Sequence, residues 1–217
     1  MQFIEGHGII TTKSQLRALL AFTGDAERLD GVGFEIRDGR MLAWASDGHS
    51  AVYHHSTAMD GKGGPYAGSH EWQIAADALS RVVKAMENGD EAVLVLSSRG
   101  DLREARIREI ESGQEKLTIS LANHVTNELS LNLPCVVPSR PTPVESPVFQ
   151  IGLDTDLLAR LKRVSAACEC SVCRLTLPDD QAKPVHFEID QMGNLADTGQ
   201  VAWVGVLMPV RMDAPED

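Results

Sequence analysis

Residues 34–48 read FEIRDGRMLAWASDG and contain a complete β-hairpin signal. Gly33-Phe-Glu-Ile-Arg37 and Met41-Leu-Ala-Trp-Ala45 are short apolar runs, and Asp38-Gly39 stands between them. An Asp-Gly pair at this position favours a tight turn, because glycine adopts a positive φ without steric cost. The sequence therefore predicts two antiparallel strands here, and a third strand over residues 51–53.

Three segments around this hairpin have the apolar spacing of amphipathic helices. The first covers residues 12–22 and starts with Thr12 and Gln15 at capping-box spacing. The second covers residues 76–87 and ends before Asn88-Gly89, and the third covers residues 154–167. Further strands are predicted over residues 71–74, 92–96, 102–110, 116–121, 149–153, 173–177, 185–189 and 203–208.

The order strand, helix, strands occurs three times, beginning near residues 9, 72 and 149, which predicts an α+β protein built from structural repeats. Five of the ten prolines lie within residues 134–147. Proline removes an amide donor and fixes φ, so this stretch is expected to be an extended connector. We therefore predict one domain over residues 1–133 and a shorter, incomplete one over residues 148–217.

The composition is that of a globular protein, with 43% hydrophobic and 24% charged residues. No apolar run approaches the roughly 18 residues that span a bilayer, and the N-terminus lacks the pattern of a secretory signal. We expect a cytoplasmic protein that has no membrane partner.

The charge is unevenly distributed. Residues 12–22, 75–86 and 154–167, which cover the predicted helices, carry seven basic and three acidic residues, whereas the rest of the chain carries thirteen basic and twenty-eight acidic ones, which gives the net charge of −11. One interpretation is the ordinary solvent-facing side of amphipathic helices; the other is a basic face for phosphates on an acidic protein. The candidate DNA-binding residues are Lys13, Arg17, Arg81, Lys84, Arg160, Lys162 and Arg163.

Other site chemistries have weaker patterns. Cys168, Cys170 and Cys173 could bind zinc together with Cys135 or a histidine, but only one Cys-x-x-Cys pair is present, and reduced thiols are the simpler explanation of the cluster. The strings G-x-S-x-G, H-E-x-x-H and G-x-G-x-x-G are absent. We predict a protein that is not an enzyme and needs no cofactor.

Residues 34–48 and the C-terminal run Val204-Gly-Val-Leu-Met-Pro-Val-Arg-Met212 resemble bacterial DNA sliding clamps, the beta subunit of the replicative polymerase. Residues 34–48 resemble the early hairpin of these clamps, which is followed by a Thr-Asp or Ser-Asp pair. Residues 204–212 resemble their last strand, which contains Met-Pro-x-Arg. The resemblance implies clamp-like repeats with antiparallel sheets outside and amphipathic helices on one face, lining a hole around duplex DNA.

It further implies a homo-oligomeric processivity factor that takes peptides of the polymerase and clamp loader in a groove formed by Val206, Met208, Pro209, Val210, Arg211 and Met212. A clamp domain has two helices, whereas residues 148–217 supply one, so the closing of a ring is an open question. Two alternatives remain: a clamp-fold interaction module that does not bind DNA, and a cysteine-based metal-binding protein.

Overall fold

The computed structural model describes residues 2–4, 8–25, 29–37, 39–59, 69–96, 102–121, 124–126, 151–168, 170, 172–189 and 203–210. These ranges contain thirteen strands and three helices. None of these helices has the length and apolar character needed to cross a bilayer.

The elements form three units in chain order. The first contains β1 (Gln2–Ile4), β2 (Gly8–Thr12), α1 (Lys13–Leu20), β3 (Gly31–Arg37), β4 (Arg40–Ser46) and β5 (Ser50–Met59). The second contains β6 (His70–Ala75), α2 (Ala76–Ala85), β7 (Asp90–Leu96), β8 (Leu102–Glu109), β9 (Glu115–Ser120) and β10 (Val125–Thr126). The third contains α3 (Thr155–Ala167), β11 (Arg174–Thr176), β12 (Val185–Ile189) and β13 (Trp203–Leu207).

The predicted order of strand, helix and strands is confirmed in the first two units. In the third, residues 149 and 150 lie outside the described ranges, and Gly152 forms an isolated bridge with Val210. Helix α2 ends two residues earlier than predicted, because the backbone of Met86 is already extended. The strand predicted over residues 51–53 extends to Ser50–Met59, since it pairs on both sides, with β4 and β13.

Local sequence explains where the helices and the first hairpin begin and end. The Thr12 hydroxyl accepts a hydrogen bond from the Gln15 amide at 3.3 Å, and the Gln15 side chain accepts one from the Thr12 amide at 3.0 Å. At the start of α3, the Asp154 carboxylate accepts a hydrogen bond from the Asp156 amide at 2.7 Å. The β3–β4 turn places Gly39 at a φ of 71°, as the Asp-Gly signal predicted.

The first two units exchange their leading strands. Strand β2 pairs with β7, and β6 pairs with β3, both antiparallel. One sheet therefore has the order β2–β7–β8–β9 and the other β10–β6–β3–β4–β5, and β1 joins them by pairing with both β2 and β5. Strand β13 pairs with β5 and continues through β12 to β11, so the third unit extends the second sheet.

All three helices pack into one core on the same side of the sheets. The core contains Leu16 and Leu19 of α1, Leu79 and Val82 of α2, and Leu157, Leu161 and Val164 of α3. A second cluster, with Trp44, Tyr53 and Val204, is buried on the opposite face of the second sheet. The predicted α+β class, with sheets on one side and amphipathic helices on the other, is confirmed. The connector at residues 134–147 lies outside the described residues, and the division at 133 and 148 stays a prediction.

Candidate nucleic-acid interface

Helix α1 is in contact with both α2 and α3. Because each helix turns its apolar side to the core, its opposite side faces solvent. Arg17 of α1, Arg81 and Lys84 of α2, and Lys162 and Arg163 of α3 are exposed. The structure thus places five of the seven predicted DNA-binding residues on the solvent sides of a contiguous helical layer.

A cavity of about 730 Å³ lies between α1, α3 and the turn that joins α2 to β7. Lys13 and Arg17 line it from α1, and Lys162 and Arg163 line it from α3. In sequence these pairs belong to the first and the third unit. The tertiary fold brings the two pairs together, and no local sequence motif predicts this arrangement.

The acidic residue of this lining, Asp90, is already paired. Its carboxylate accepts hydrogen bonds from the Lys116 ammonium at 2.7 Å and from the Glu87 amide at 2.8 Å. The hydrogen bond from Lys116 and then that from Glu87 hold the pKa of Asp90 below its usual value. Lys13 donates a hydrogen bond to the Met86 carbonyl, which ties the start of α1 to the end of α2.

Arg160, the sixth predicted DNA-binding residue, has a partner inside the protein. Its guanidinium pairs with the Asp47 carboxylate, donates to the Ser50 hydroxyl at 2.8 Å and lies 5.8 Å from the centre of the Phe22 ring. These contacts join α3 to the β4–β5 turn. Sequence reasoning missed this role, although Asp47 belongs to the Ser-Asp step of the hairpin.

The Asp47 carboxylate also organises the turn itself. It accepts hydrogen bonds from the amides of His49 at 2.9 Å and Ser50 at 2.7 Å. Burial disfavours its charged form, but the hydrogen bonds from Arg160, His49 and Ser50 outweigh this effect, so the pKa of Asp47 is lowered.

The two basic residues of α2 lie apart from the cavity lining. Arg81 is within 2.8 Å of the His124 imidazole, whose other nitrogen is 3.6 Å from the Asp77 carboxylate. Lys84 has no acidic partner in the described part of the chain. The structure therefore separates the predicted set into a cavity group, an α2 pair and the internal Arg160.

The predicted peptide groove is described only in part. Val206 is half-buried in β13, and the Met208 amide donates to the His49 carbonyl at 2.8 Å. The Val210 amide donates to the Gly152 carbonyl at 2.9 Å, while its side chain is 52% exposed. Pro209 is half-buried between these residues. Arg211 and Met212 lie outside the described residues.

The cysteine cluster lies at the end of α3. Cys168 and Cys170 are buried and Cys173 is half-buried. Burial, followed by the proximity of Cys168 and Cys170, raises the pKa of Cys173 to about 11. Within the described ranges, which exclude Cys135, no group of three His, Cys, Asp or Glu residues is arranged to hold a metal ion.

Comparison with solved structures identifies the fold. A DNA polymerase III subunit beta from Pseudomonas aeruginosa superimposes with a TM-score of 0.57 at 14% identity, covering 96% of this chain and 68% of its own. This chain has the sliding-clamp fold. A DNA polymerase sliding clamp from the same organism, with ligand, gives a TM-score of 0.58 at 14% identity and covers 95% of this chain and 66% of its own.

A third likeness, to a putative DNA polymerase III beta subunit from Eubacterium rectale, has a TM-score of 0.55 at 10% identity and covers 94% of this chain and 65% of its own. No protein-family model and no curated protein matches the sequence. The sliding-clamp fold therefore extends over all three units of this chain, which span about two thirds of the length of these clamps.

Proposed function

We propose that this chain is a sliding-clamp-like processivity factor that binds duplex DNA without sequence preference and tethers partner proteins to it. It has no catalytic role and acts in the cytoplasm. The observation that carries the proposal is the contiguous helical layer, whose exposed cations lie on one side of a sliding-clamp fold.

Electrostatics supports DNA as the ligand of this layer. The chain has a net charge of −11, yet Arg17, Arg81, Lys84, Lys162 and Arg163 project from three touching helices. Arginine and lysine contacts to phosphate oxygens give affinity and carry no base recognition, as a protein that moves along DNA requires. Acidic groups elsewhere discourage binding of DNA to other surfaces.

The C-terminal strand is the proposed docking place for peptides of a polymerase or a clamp loader. Val206, Met208 and Pro209 are half-buried and Val210 is exposed, which leaves apolar surface accessible at the end of β13. An accessible apolar strip with neighbouring hydrogen-bonding backbone is suited to short peptides. The alternative of an interaction module that does not bind DNA rests on this same strip.

Self-association is proposed through the edges of the sheets. Strands β9 and β11 each pair on one side only within the described residues, and each exposes a leucine, Leu117 at 46% and Leu175 at 41%. Pairing of β9 in one copy with β11 in the next would be a head-to-tail contact, which repeats into a ring when the rotation closes. Light scattering at several concentrations measures the mass of the assembly.

Charge removal tests the proposal. We expect the double variant Arg17→Ala, Lys84→Ala to bind a 20-base-pair duplex about tenfold or more weakly, because two phosphate contacts are lost. The double variant Arg106→Ala, Lys183→Ala is the matched control. Arg106 alternates with buried Ile107 in β8 and projects from the sheet face that points away from the helices, and Lys183 is an exposed residue between β11 and β12. Fluorescence anisotropy at one low salt concentration gives the three affinities. Equal affinities in all three proteins would favour the interaction module.

A further inference from the structure

The cavity between α1 and α3 has the size of a ligand site, not of a packing defect. Its volume of about 730 Å³ falls within the roughly 300–1,000 Å³ of small-molecule sites. Two helices of different units form its walls, and the turn after α2 closes one end. The cavity is therefore a concave place within the helical layer.

The charge of the lining is strongly positive. Lys13, Arg17, Lys162 and Arg163 contribute four cations. In the part of the chain that the structure describes, Arg17, Lys162 and Arg163 form no ion pair with a carboxylate. Asp90 is held by Lys116, and the side chain of Asp90 is only 1% exposed. Asp90 also interacts electrostatically with Lys13, but its hydrogen bond comes from Lys116, so the lining keeps an excess of positive charge.

Such a group of cations selects for an anion with several charges. A single phosphodiester carries one negative charge, whereas three successive phosphodiesters carry three and a nucleotide triphosphate carries up to four, which approaches or matches the four cations of the lining. Arginine supplies paired N–H donors that match phosphate oxygens, and lysine supplies a compact charge. Ile110, which is 53% exposed, also lines the cavity and offers an apolar contact for a sugar.

We propose that this cavity is a discrete site for a run of adjacent phosphate groups. The phosphates come either from successive nucleotides of a DNA backbone or from a free nucleotide triphosphate. The DNA source rests on the proposed function; the site itself does not. In the DNA-bound protein it would hold one backbone segment at a fixed place, while the other cations of the layer make diffuse contacts.

Titration with inorganic tripolyphosphate tests the site, because this probe has the charges but no sugar or base. By isothermal calorimetry we expect one tripolyphosphate per chain in the unmodified protein, and an affinity about tenfold or more weaker in Lys162→Ala, Arg163→Ala. The control Arg106→Ala, Lys183→Ala removes two exposed cations that do not line the cavity, and should bind as the unmodified protein does. Thermal unfolding of each variant shows that the fold is retained.

Competition with a duplex and with a nucleotide triphosphate distinguishes the two sources. Displacement of tripolyphosphate by duplex DNA supports the DNA source, and displacement by the nucleotide alone supports a free nucleotide and contradicts the proposed function. If tripolyphosphate fails to bind, or binds both double variants equally, the site is refuted. DNA binding that persists in that case leaves the proposed function standing.

Discussion

Arg160, on helix α3, forms an internal ion pair with Asp47. Its side chain is 25% exposed and that of Asp47 is 12% exposed, so the ion pair is mostly shielded from water. A shielded pair that loses one partner leaves an uncompensated charge, which costs more than the loss of a surface pair. We therefore assign Arg160 to the attachment of α3 to the β4–β5 turn.

Replacement of Arg160 by alanine is expected to lower the free energy of unfolding by about 1–3 kcal/mol, since Asp47 would lose a charged hydrogen-bond donor. Urea denaturation measures the change. Arg163→Ala, on the same helix but exposed and with no ion pair to any described residue, should change the free energy of unfolding by less than about 0.5 kcal/mol. Equal effects of the two substitutions would show that the Asp47 contact is not stabilising.

The same pair predicts an acid response. The pKa of Asp47 is lowered in the folded protein, so its contribution to stability is present above the unfolded-state pKa and is lost as the pH falls through the folded-state value. We expect the unfolding free energy to fall below about pH 4, and to fall less steeply in Asp47→Asn. Urea titrations at several pH values between neutral and acidic measure the free energy of unfolding, and Asp25→Asn, at an exposed residue, is the control. An unchanged acid slope in Asp47→Asn would contradict the assignment.

At the scale of elements, the contact of β13 with β5 attaches the third unit to the first. Gly205 of β13 lies where a Cβ atom would overlap the Ala51 carbonyl of β5 and the Phe187 ring. Only glycine, which has no Cβ atom, fits at position 205. The contact tolerates no side chain at this position without a shift of strand or ring.

Gly205→Ala is accordingly expected to destabilise the protein by about 1–3 kcal/mol through overpacking. Thermal and urea unfolding measure the effect, and Thr118→Ala on the exposed strand β9 is the control. A neutral Gly205→Ala would mean that β13 does not lie against β5 as closely as described.

Sequence predicted the elements better than their arrangement. Helix α1 follows from Thr12 and Gln15, and the β3–β4 hairpin follows from Asp38-Gly39, because both signals act over a few residues. The exchange of β2 and β6 between the first two sheets has no local signal, since it depends on contacts between distant strands. The same holds for the pairing of Arg160 with Asp47, which lies 113 residues away.

The sequence predicted which cations belong to the candidate site, but it did not predict how they are arranged in space. Helical spacing placed Arg81, Lys84 and Arg163 on solvent faces, which the structure confirms. It did not place Lys13 and Arg17 in one cavity with Lys162 and Arg163, because the packing of α1 against α3 is tertiary. Helical spacing also did not show that Lys116 forms an ion pair with Asp90.

In the molecule as a whole, the proposed DNA binding depends on a contiguous positive layer within an acidic protein. The net charge of −11 would repel DNA if it were spread evenly, so binding must depend on where the cations lie. Phosphate contacts release counterions, and the affinity for duplex DNA then falls with added salt in proportion to the number of contacts.

The most direct measurement is therefore the affinity for a 20-base-pair duplex across a series of salt concentrations, compared between two unrelated DNA sequences. If about five cations of the helical layer contact phosphates, log K should fall with log salt with a slope of about −4 to −5, and the two sequences should give the same affinity. No binding at low salt, or an affinity that does not change with salt, would contradict the account.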